Sequence, residues 1–227
     1  MIIITGITGG IGDFLFNKFT QAGEKIIGTY HENKPAEKNI ENTFLLDITD
    51  NKLVEKFIKS NEHKLIDITL INCAGITQNS FAHKANVDEW TQVINVNLIG
   101  TFHLIRSTLP IMRKQNFGRI INLSSVVGQT GVMGTSAYAA SKAGINGMVK
   151  SIALENAQKN ITVNNINLGY FKVGMINSIP QELQEIIKSK IAYHEFGDPE
   201  NIFNTIQYIR QTPYLTGSCI DLNGGLV

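Results

Sequence analysis

The chain has 227 residues, enough for one large domain with a substantial hydrophobic core. A hydrophobic fraction of 43% and a charged fraction of 17% are typical of a globular protein and argue against disorder. The formal net charge of +1 favours neither nucleic acid nor an acidic membrane as a partner, and no apolar run approaches the ~20 residues that span a bilayer.

The first residues predict a buried strand followed by a glycine-rich turn and a helix. Ile2–Ile4 are β-branched, and the next eight residues are Thr5-Gly6-Ile7-Thr8-Gly9-Gly10-Ile11-Gly12. Glycines let the backbone approach a pyrophosphate, and free amides at a helix N-terminus meet its charge. The pattern therefore predicts a nucleotide phosphate site, with an ordinary strand–helix turn as the alternative.

The following segments predict further strands that end in polar residues. Glu24–Tyr30 and Thr43–Leu46 are expected to be strands, and Asp47-Ile48-Thr49 follows the second of them. Asp47 or Thr49 can cap a helix that begins near Asn51, as an alternative to a ligand role or together with it. The next predicted strand, Ile66–Ile71, is closed by Asn72-Cys73-Ala74-Gly75.

A long helix is predicted over residues 87–115, with apolar residues at helical spacing. Asn95 and Asn97 are polar positions within it. A buried asparagine in a helix needs a structural partner or a functional one.

Three polar side chains in the centre of the chain suggest proton transfer. Ser125 follows the predicted strand 118–124, and Tyr138 and Lys142 lie four residues apart on one face of a helix predicted over residues 136–158. A nearby ammonium group stabilises a phenolate, so we expect the pKa of Tyr138 to fall below its usual value of ~10. The Ser125 hydroxyl is then placed to hold a substrate oxygen. A packed tyrosine beside a solvated lysine is the alternative.

The C-terminal part of the chain predicts two more strands and two helices. Ile161–Asn167 is a predicted strand, followed by Leu168-Gly169-Tyr170. An apolar stripe in residues 176–196 predicts a helical substrate lid, with a plain surface helix as the alternative. Asp198-Pro199-Glu200 is expected to start the last helix. Residues 215–225 predict the last strand and its turn.

Cys73 and Cys219 lie in apolar, strand-like surroundings without metal-ligand spacing. We therefore expect buried thiols, no metal site and a reducing compartment. The N-terminus also lacks the basic region and cleavage site of a signal peptide, so the expected location is cytoplasmic.

These motifs carry a family resemblance. Ser125, Tyr138 and Lys142 look like the catalytic set of the short-chain dehydrogenase/reductase family. The segments 118–122 and 125–128 resemble its β-ketoacyl-carrier-protein reductase branch in particular. The Thr-Gly-x-x-x-Gly-x-Gly spacing at the start and the Thr-Gly…Asn-Gly-Gly segment at the end extend the resemblance over the whole chain.

The alternation of strands and helices predicts one α/β domain spanning residues 1–227. The expected architecture is a Rossmann-like, doubly wound parallel sheet of about seven strands with helices on both faces. In such sheets ligands bind at the carboxyl ends of the strands, where the glycine-rich turn, Asp47, Asn72, Ser125 and Gly169 all fall.

The resemblance implies reduction of a ketone by hydride transfer from a nicotinamide cofactor. Tyr138 would donate the proton, Ser125 would orient the carbonyl, Lys142 would lower the tyrosine pKa and bind the nicotinamide ribose, and Asn97 would order a relay water. A β-ketoacyl thioester, free or on a carrier protein, is the first substrate class. The alternatives are a sugar or secondary-metabolite ketone or alcohol, or a non-catalytic cofactor sensor.

The resemblance and the strand ends together imply a set of cofactor-binding residues. These are Thr5, Gly6, Thr8, Gly9, Gly10, Ile11, Gly12, Tyr30, His31, Lys34, Asp47, Ile48, Asn72, Ala74, Gly75, Tyr138, Lys142 and Gly169. Asp47 would meet the adenine amino group. The sequence departs from the family pattern at Leu168 and Val173, where relatives have proline and a threonine that contacts the nicotinamide region.

The choice between NADP and NAD depends on the end of the second strand. A carboxylate there would accept the ribose hydroxyls and repel a 2′-phosphate, but the sequence is Tyr30-His31-Glu32-Asn33-Lys34. His31 and Lys34 can face a phosphate, although Glu32 is close and His31 can equally be an ordinary exposed histidine. We expect NADPH to be preferred, with NAD possible. The resemblance also implies a homotetramer, or at least a dimer, paired through the two long helices, about residues 87–115 and 136–158, and through the C-terminal segment.

Overall fold

A computed structural model describes residues 1–35 and 42–226. Within these residues seven parallel strands form one sheet in the order β3-β2-β1-β4-β5-β6-β7. The strands are β1 (Ile2–Thr5), β2 (Ile26–Tyr30), β3 (Thr43–Leu45), β4 (Thr69–Asn72), β5 (Gly118–Ser125), β6 (Ile161–Leu168) and β7 (Cys219–Leu222). The predicted doubly wound α/β sheet is confirmed.

Helices cover both faces of the sheet. They are α1 (Gly10–Gln21), α2 (Asn51–Asn61), α3 (Val87–Ile94), α4 (Thr101–Gln115), α5 (Val127–Thr130), α6 (Ser136–Asn156), α7 (Gln181–Lys190) and α8 (Pro199–Gln211). One core packs α2, α4 and α6 against one face, and a second core packs α1 and α8 against the other. No helix in the described part of the chain is long and apolar enough to cross a membrane.

The strand order reverses between β1 and β4. After β1 the chain continues outwards to β2 and β3, and then returns to place β4 on the other side of β1. The connections that leave β1 and β4 therefore diverge, and a crevice opens at the carboxyl ends of these two strands. Ile2, Ile3 and Ile4 anchor this centre, since each side chain is at most 1% exposed.

The start of α2 corrects one prediction. The Asp50 carboxylate accepts hydrogen bonds from the amides of Lys52 (2.8 Å) and Leu53 (3.1 Å), so Asp50 is the cap. The expectation that Asp47 or Thr49 caps the helix is wrong. Asp47 instead accepts from the amide and the hydroxyl of Thr49, which closes a local turn before the helix begins.

The predicted helix over residues 87–115 is not uniform. A π-helical segment, Asn95–Gly100, lies between α3 and α4 and contains the fully buried Asn97. The hydroxyl of Thr101 donates to the carbonyl of Asn97 at 2.7 Å, which ties the segment to the next turn. π-helical turns often occur where a side chain is needed for function.

The two C-terminal helices begin where the sequence indicates. Pro180 immediately precedes α7, and the Asp198 carboxylate caps α8 by accepting from the Glu200 amide at 2.9 Å. Only part of the expected apolar stripe of α7 is covered. Ile191 is buried, whereas Leu183 and Ile186 are half exposed, at 50% and 51%.

Candidate active site

A cleft of about 720 Å³ opens at the carboxyl ends of the strands. Most of the predicted site residues line it. These are Gly6, Thr8, Gly9, Gly10, Ile11, Gly12, Tyr30, His31, Asp47, Ile48, Ala74, Gly75, Ser125, Tyr138, Lys142 and Gly169. Thr5, Lys34, Asn72 and Asn97 are not among the lining residues.

The glycine-rich turn forms a backbone cradle at one wall of the cleft. Gly6 has a φ of +71°, and a Cβ on Gly12 would lie 2.1 Å from the Gly6 carbonyl oxygen, so both positions require glycine. Helix α1 begins at Gly10, and the amides of its first turn have no intrahelical acceptor. The turn therefore offers a close backbone approach and free donors, which fits a pyrophosphate.

Thr5 and Asn72 support the wall of the cleft from behind. The Thr5 hydroxyl accepts from the amides of Cys73 and Ala74, each at 3.0 Å, and so fastens the end of β4 to β1. The Asn72 side chain donates to Asn122 at 2.8 Å, and Asn122 donates to Asn165 at 2.9 Å. This row of buried amides joins three strands beneath the cleft.

Ser125, Tyr138 and Lys142 meet at the other end of the cleft. Ser125 ends β5, is 7% exposed and accepts from the Val127 amide at 3.2 Å. Its side chain lies within hydrogen-bonding reach of the phenol of Tyr138, which is in the first turn of α6. One turn further, Lys142 lies with its Nζ 5.5 Å from the centroid of the Tyr138 ring.

The pKa values in this cluster correct a second prediction. Burial raises the pKa of Tyr138 to about 12, although the hydrogen bond with Ser125 acts in the opposite direction. Burial also lowers the pKa of Lys142 to about 8. The expected lowering of the tyrosine pKa is therefore wrong for this structure. Both groups are desolvated, and the Lys142 ammonium group donates to the Leu123 carbonyl at 2.7 Å.

Asn97 connects the π-helical segment to the loop after β4. Its Oδ1 accepts from the Ile76 amide at 2.8 Å, and its Nδ2 donates to the Ile76 carbonyl at 2.9 Å and to the Ser141 hydroxyl at 3.1 Å. Gly75 lies between Asn97 and Lys142. A Cβ on Gly75 would be 3.2 Å from Asn97 Oδ1 and 3.8 Å from Lys142 Nζ.

The end of β2 carries competing charges. His31 Nε2 lies 3.8 Å from Asp47 Oδ2, and His31 Nδ1 lies 3.9 Å from Glu32 Oε1. Partial burial acts to raise the pKa of Asp47, but the hydrogen bonds from Thr49 and the proximity of His31 bring it below its usual value. His31 and Glu32 line the cleft, whereas Lys34 is exposed outside it.

The segment after β6 packs against the glycine-rich turn. A Cβ on Gly10 would lie 2.4 Å from the Gly174 amide nitrogen, so the two backbones are in contact. Leu168 and Gly169 line the cleft, while Val173 packs against the core formed with α1 and α8. A Cβ on Gly169 would overlap Asn223 at 2.7 Å, which explains why this position is glycine.

Sequence reasoning missed several lining residues. One face of α3 and the segment after it borders the cleft with Asp88, Thr91, Gln92 and Asn95. Their spacing of three, four and seven residues is that of one helix face, and this spacing was the available signal. Cys73, which we expected only as a buried thiol, also lines the cleft, and burial raises its pKa to about 12.

The parallel sheet, the glycine cradle and the Ser–Tyr–Lys cluster define a dinucleotide-binding oxidoreductase class. Residues 1–184 match the family model described as short chain dehydrogenase. The chain belongs to the short-chain dehydrogenase/reductase family, whose members bind a nicotinamide cofactor and act on CH–OH and C=O groups.

Similar proteins cover nearly the whole chain. A 3-oxoacyl-(acyl-carrier-protein) reductase FabG of Thermotoga maritima is 34% identical over 238 residues, which span 99% of this chain and 96% of its own. An acetoacetyl-CoA reductase of Shinella zoogloeoides is 36% identical over 233 residues, spanning 98% and 96%. A FabG of Aquifex aeolicus is 34% identical over 237 residues, with coverage of 99% and 96%.

Proposed function

We propose that this protein is an NADPH-dependent reductase of β-ketoacyl thioesters. The observation that carries the proposal is the buried cluster of Ser125, Tyr138 and Lys142 at the end of a cleft of about 720 Å³. The similar proteins are named as ketoacyl and acetoacetyl thioester reductases, which supports the substrate class.

The cradle and the strand ends would hold the cofactor. Gly6, Gly9 and the first amides of α1 would receive the pyrophosphate, and Asp47 and Ile48 would border the adenine. Ala74, Gly75 and Gly169 would border the rest of the molecule, supported from behind by Thr5 and Asn72. When bound, the nicotinamide supplies the hydride, so the protein must supply position and a proton.

Tyr138 is the proposed proton donor. With a pKa of about 12, its phenol keeps the proton at neutral pH, which suits reduction of a carbonyl. The Ser125 hydroxyl, which lies close to that phenol, would orient the carbonyl oxygen and stabilise the charge that develops on it.

Lys142 and Asn97 are proposed to support the tyrosine. A charged Lys142, 5.5 Å from the tyrosine ring, favours the phenolate that forms when the proton leaves. Asn97 holds the Ile76 backbone with both ends of its amide, and Gly75 leaves a narrow gap between Asn97 and Lys142. We propose that a water in this gap returns the proton through Lys142.

We propose that the whole chain, residues 1–227, acts as one domain and that the segment within residues 176–196 is its substrate lid. Ile176, Ile191 and Phe196 form a small core of their own, apart from the two main cores. Gln184 on α7 donates to the carbonyls of Ile176 (3.2 Å) and Ile179 (2.8 Å), so the helix and the turn before it are linked.

A reductase of another ketone, such as a sugar or a secondary metabolite, is the second candidate. Leu168 and Val173 favour it, since both depart from the family pattern and Leu168 lines the cleft. A non-catalytic cofactor sensor is the third, and it has no need for an assembled Ser125, Tyr138 and Lys142.

A spectrophotometric screen of NADPH oxidation separates the three candidates. Acetoacetyl-CoA, reducing sugars and simple ketones are offered in parallel at equal concentration. We expect acetoacetyl-CoA to give the highest kcat/KM. A higher value for another ketone supports the second candidate, and tight NADPH binding without turnover of any substrate supports the sensor.

We also propose that the protein forms a homotetramer or a dimer. Phe102 on α4 and Leu154 on α6 are 41% and 84% exposed, which leaves apolar surface on both long helices. Light scattering at micromolar concentration tests this, and a monomeric mass would refute it.

A further inference from the structure

A second cavity lies at the amino ends of the central strands β1, β4 and β5, opposite the carboxyl ends that border the cleft. It has a volume of about 380 Å³ and is lined by residues that include Thr69, Phe117, Arg119, Gln207 and Arg210. Arg119 is near the start of β5, and Ser125 ends the same strand. Six residues at about 3.3 Å each place this cavity roughly 20 Å from the Ser125 end of the cleft.

Arg119 is the unusual residue of this cavity. Its side chain is 5% exposed, and every acceptor that it contacts is neutral. Nη1 donates to the carbonyls of Gly118 and Asn160, each at 2.8 Å, Nη2 donates to Asn160 Oδ1 at 3.2 Å, and Nε donates to the Arg210 carbonyl at 3.4 Å. The Phe117 ring covers one face of the guanidinium group at 4.5 Å.

These bonds satisfy most of the donors but do not balance the charge. Within residues 1–35 and 42–226, no carboxylate lies within 4.0 Å of the Arg119 guanidinium. A buried charge without a counter-ion is costly, and burial correspondingly lowers the pKa of Arg119. One Nη2 hydrogen also has no acceptor in that part of the chain.

The other charged groups at the cavity do not serve as a counter-ion for Arg119. Glu24 is paired with Arg210 at 2.8 Å, and Arg210 also donates to Gln207 Oε1 at 2.6 Å. Asp67 is exposed at the rim. The Met1 amine donates to the carbonyls of Ile66 and Asp67. Arg119 is therefore the guanidinium group in the described cavity lining that lacks a carboxylate partner.

Two hydroxyls flank Arg119 along the sheet. Thr69 on β4 and Thr162 on β6 are its partners in strand register, and both are 3% exposed. The Thr162 hydroxyl has no hydrogen-bond partner within the described residues. Thr69 lines the cavity and Thr162 does not, so an oxygen-bearing anion in the cavity would meet the Thr69 hydroxyl beside the unpaired guanidinium group.

We propose that this cavity binds a small oxyanion, a carboxylate or phosphate group, on Arg119 with help from Arg210 and the Thr69 hydroxyl. The free Nη2 hydrogen of Arg119 can donate one charge-assisted hydrogen bond to either anion. The cavity is more than ten times the roughly 30 Å³ that a water occupies, so the anion can carry a short organic part.

Gln207→Glu is the decisive variant. The new carboxylate can keep the hydrogen bond from Arg210 while it places a negative charge where the anion would sit. The unmodified full-length protein should show a saturable rise in unfolding temperature with inorganic phosphate or with sodium acetate, beyond sodium chloride at equal ionic strength. A response to phosphate alone indicates a phosphoryl ligand, and a response to acetate indicates a carboxylate.

Gln207→Glu should weaken the binding at least about tenfold, which is less than the loss of one charge-assisted hydrogen bond. The glycine-rich turn also attracts phosphate. The quantity to compare is therefore the difference in the unfolding-temperature shift between the unmodified protein and Gln207→Glu. Arg113→Met is the matched control, since Arg113 also donates to an asparagine side chain and a backbone carbonyl but lies outside the cavity.

Arg119→Met gives a second test by removing the cation itself. If Arg119→Met folds, phosphate and acetate should no longer raise its unfolding temperature beyond the effect of chloride. If it does not fold, the result with Gln207→Glu decides whether the anion binds. The proposal is overturned if phosphate and acetate act no differently from chloride, or if Gln207→Glu binds them as tightly as the unmodified protein.

Discussion

The two ends of the cleft hold their polar groups in different ways. At the end with the Ser–Tyr–Lys cluster, Ser125 and Lys142 are 7% and 5% exposed, and each has a defined hydrogen-bond partner. At the end of β2, the side chains of His31 and Glu32 are 60% and 83% exposed, and His31 lies between two carboxylates at almost 4 Å.

This difference in burial determines how strongly the polar groups at each end of the cleft can influence catalysis and cofactor binding. Burial penalises the charged form of a group, so the pKa values of Tyr138 and Lys142 are shifted by large amounts. Exposed charges are screened by water and salt, so the groups around His31 can bias cofactor choice only modestly. We therefore expect large effects from changes at the buried end and small ones at the exposed end.

The largest effect should come from Tyr138→Phe. Loss of the phenol proton should lower kcat by ~10²-fold or more, because general acid catalysis contributes that much, while NADPH affinity stays nearly unchanged. Stopped-flow turnover and a fluorescence titration measure the two quantities. Tyr170→Phe is the matched control, since Tyr170 is a nearby tyrosine that does not line the cleft. Retention of more than about a tenth of the rate would refute the assignment.

The second-largest effect should come from loss of the Lys142 ammonium group. Burial lowers its pKa to about 8, so the ammonium group is lost above that pH, and kcat for ketone reduction should fall there. Lys142→Met should abolish this limb of the pH profile and lower both kcat and cofactor affinity. Lys150→Met, at an exposed position two turns further along α6, should change neither. A profile in the unmodified protein that stays flat to pH 10 would contradict the role.

The same pKa shift predicts a pH dependence of stability. The unfolded lysine has a pKa of 10.5, so between about pH 8 and 10.5 the unfolded state binds more protons than the folded state. The Lys142 contribution to the free energy of unfolding should therefore rise with pH across this window. Urea titrations of the unmodified protein and Lys142→Met compare the slopes, and identical slopes would show that folding does not shift this pKa.

A smaller effect is expected at the glycine-rich turn. A Cβ on Gly10 would lie 2.4 Å from the Gly174 nitrogen, so Gly10→Ala must displace the segment after β6, at a cost of about 1–3 kcal/mol. Gly9→Ala is the control, because its Cβ would meet only the Gly6 oxygen, at 3.5 Å. Thermal unfolding and NADPH titration should separate the two variants, and equal behaviour would argue against the close contact.

The smallest effect is expected in the choice of cofactor. We predict that NADPH binds at least about tenfold more tightly than NADH, a difference of roughly 1.4 kcal/mol. His31→Asp should erode the preference more than Lys34→Glu, since only His31 lines the cleft. Gly9→Arg should increase it, because Gly9 has an extended backbone and a Cβ there would make only an ordinary contact with the Gly6 oxygen at 3.5 Å. Tighter binding of NADH to the unmodified protein would show that Glu32 meets the ribose.

The buried end of the cleft could be predicted from the sequence, since short-range spacing places Tyr138 and Lys142 on one helix face and Ser125 at a strand end. The strand pattern likewise indicates the sheet. The direction of the Tyr138 pKa shift could not be predicted, because it depends on how deeply two residues are buried by the rest of the fold.

Other details depend on contacts between segments that are distant in the chain. The π-helical turn at Asn97 is linked to hydrogen bonds with Ile76, which lies 21 residues earlier. Asp50 caps α2, in place of the predicted Asp47 or Thr49, because the turn closed by Asp47 and Thr49 ends just before Asp50. The position of Lys34 outside the cleft follows from the path of an exposed loop, for which spacing gives little information.

Carbonyl reduction in the cleft requires that a hydride pass from C4 of the nicotinamide to the carbonyl carbon of the substrate. Incubation with acetoacetyl-CoA and NADPH deuterated at both C4 positions, followed by mass spectrometry of the product, measures this transfer. We predict a hydroxyacyl product with one deuterium on the former carbonyl carbon, and none of this product with Tyr138→Phe. Product without deuterium at that carbon, or an equal yield from Tyr138→Phe, would contradict it.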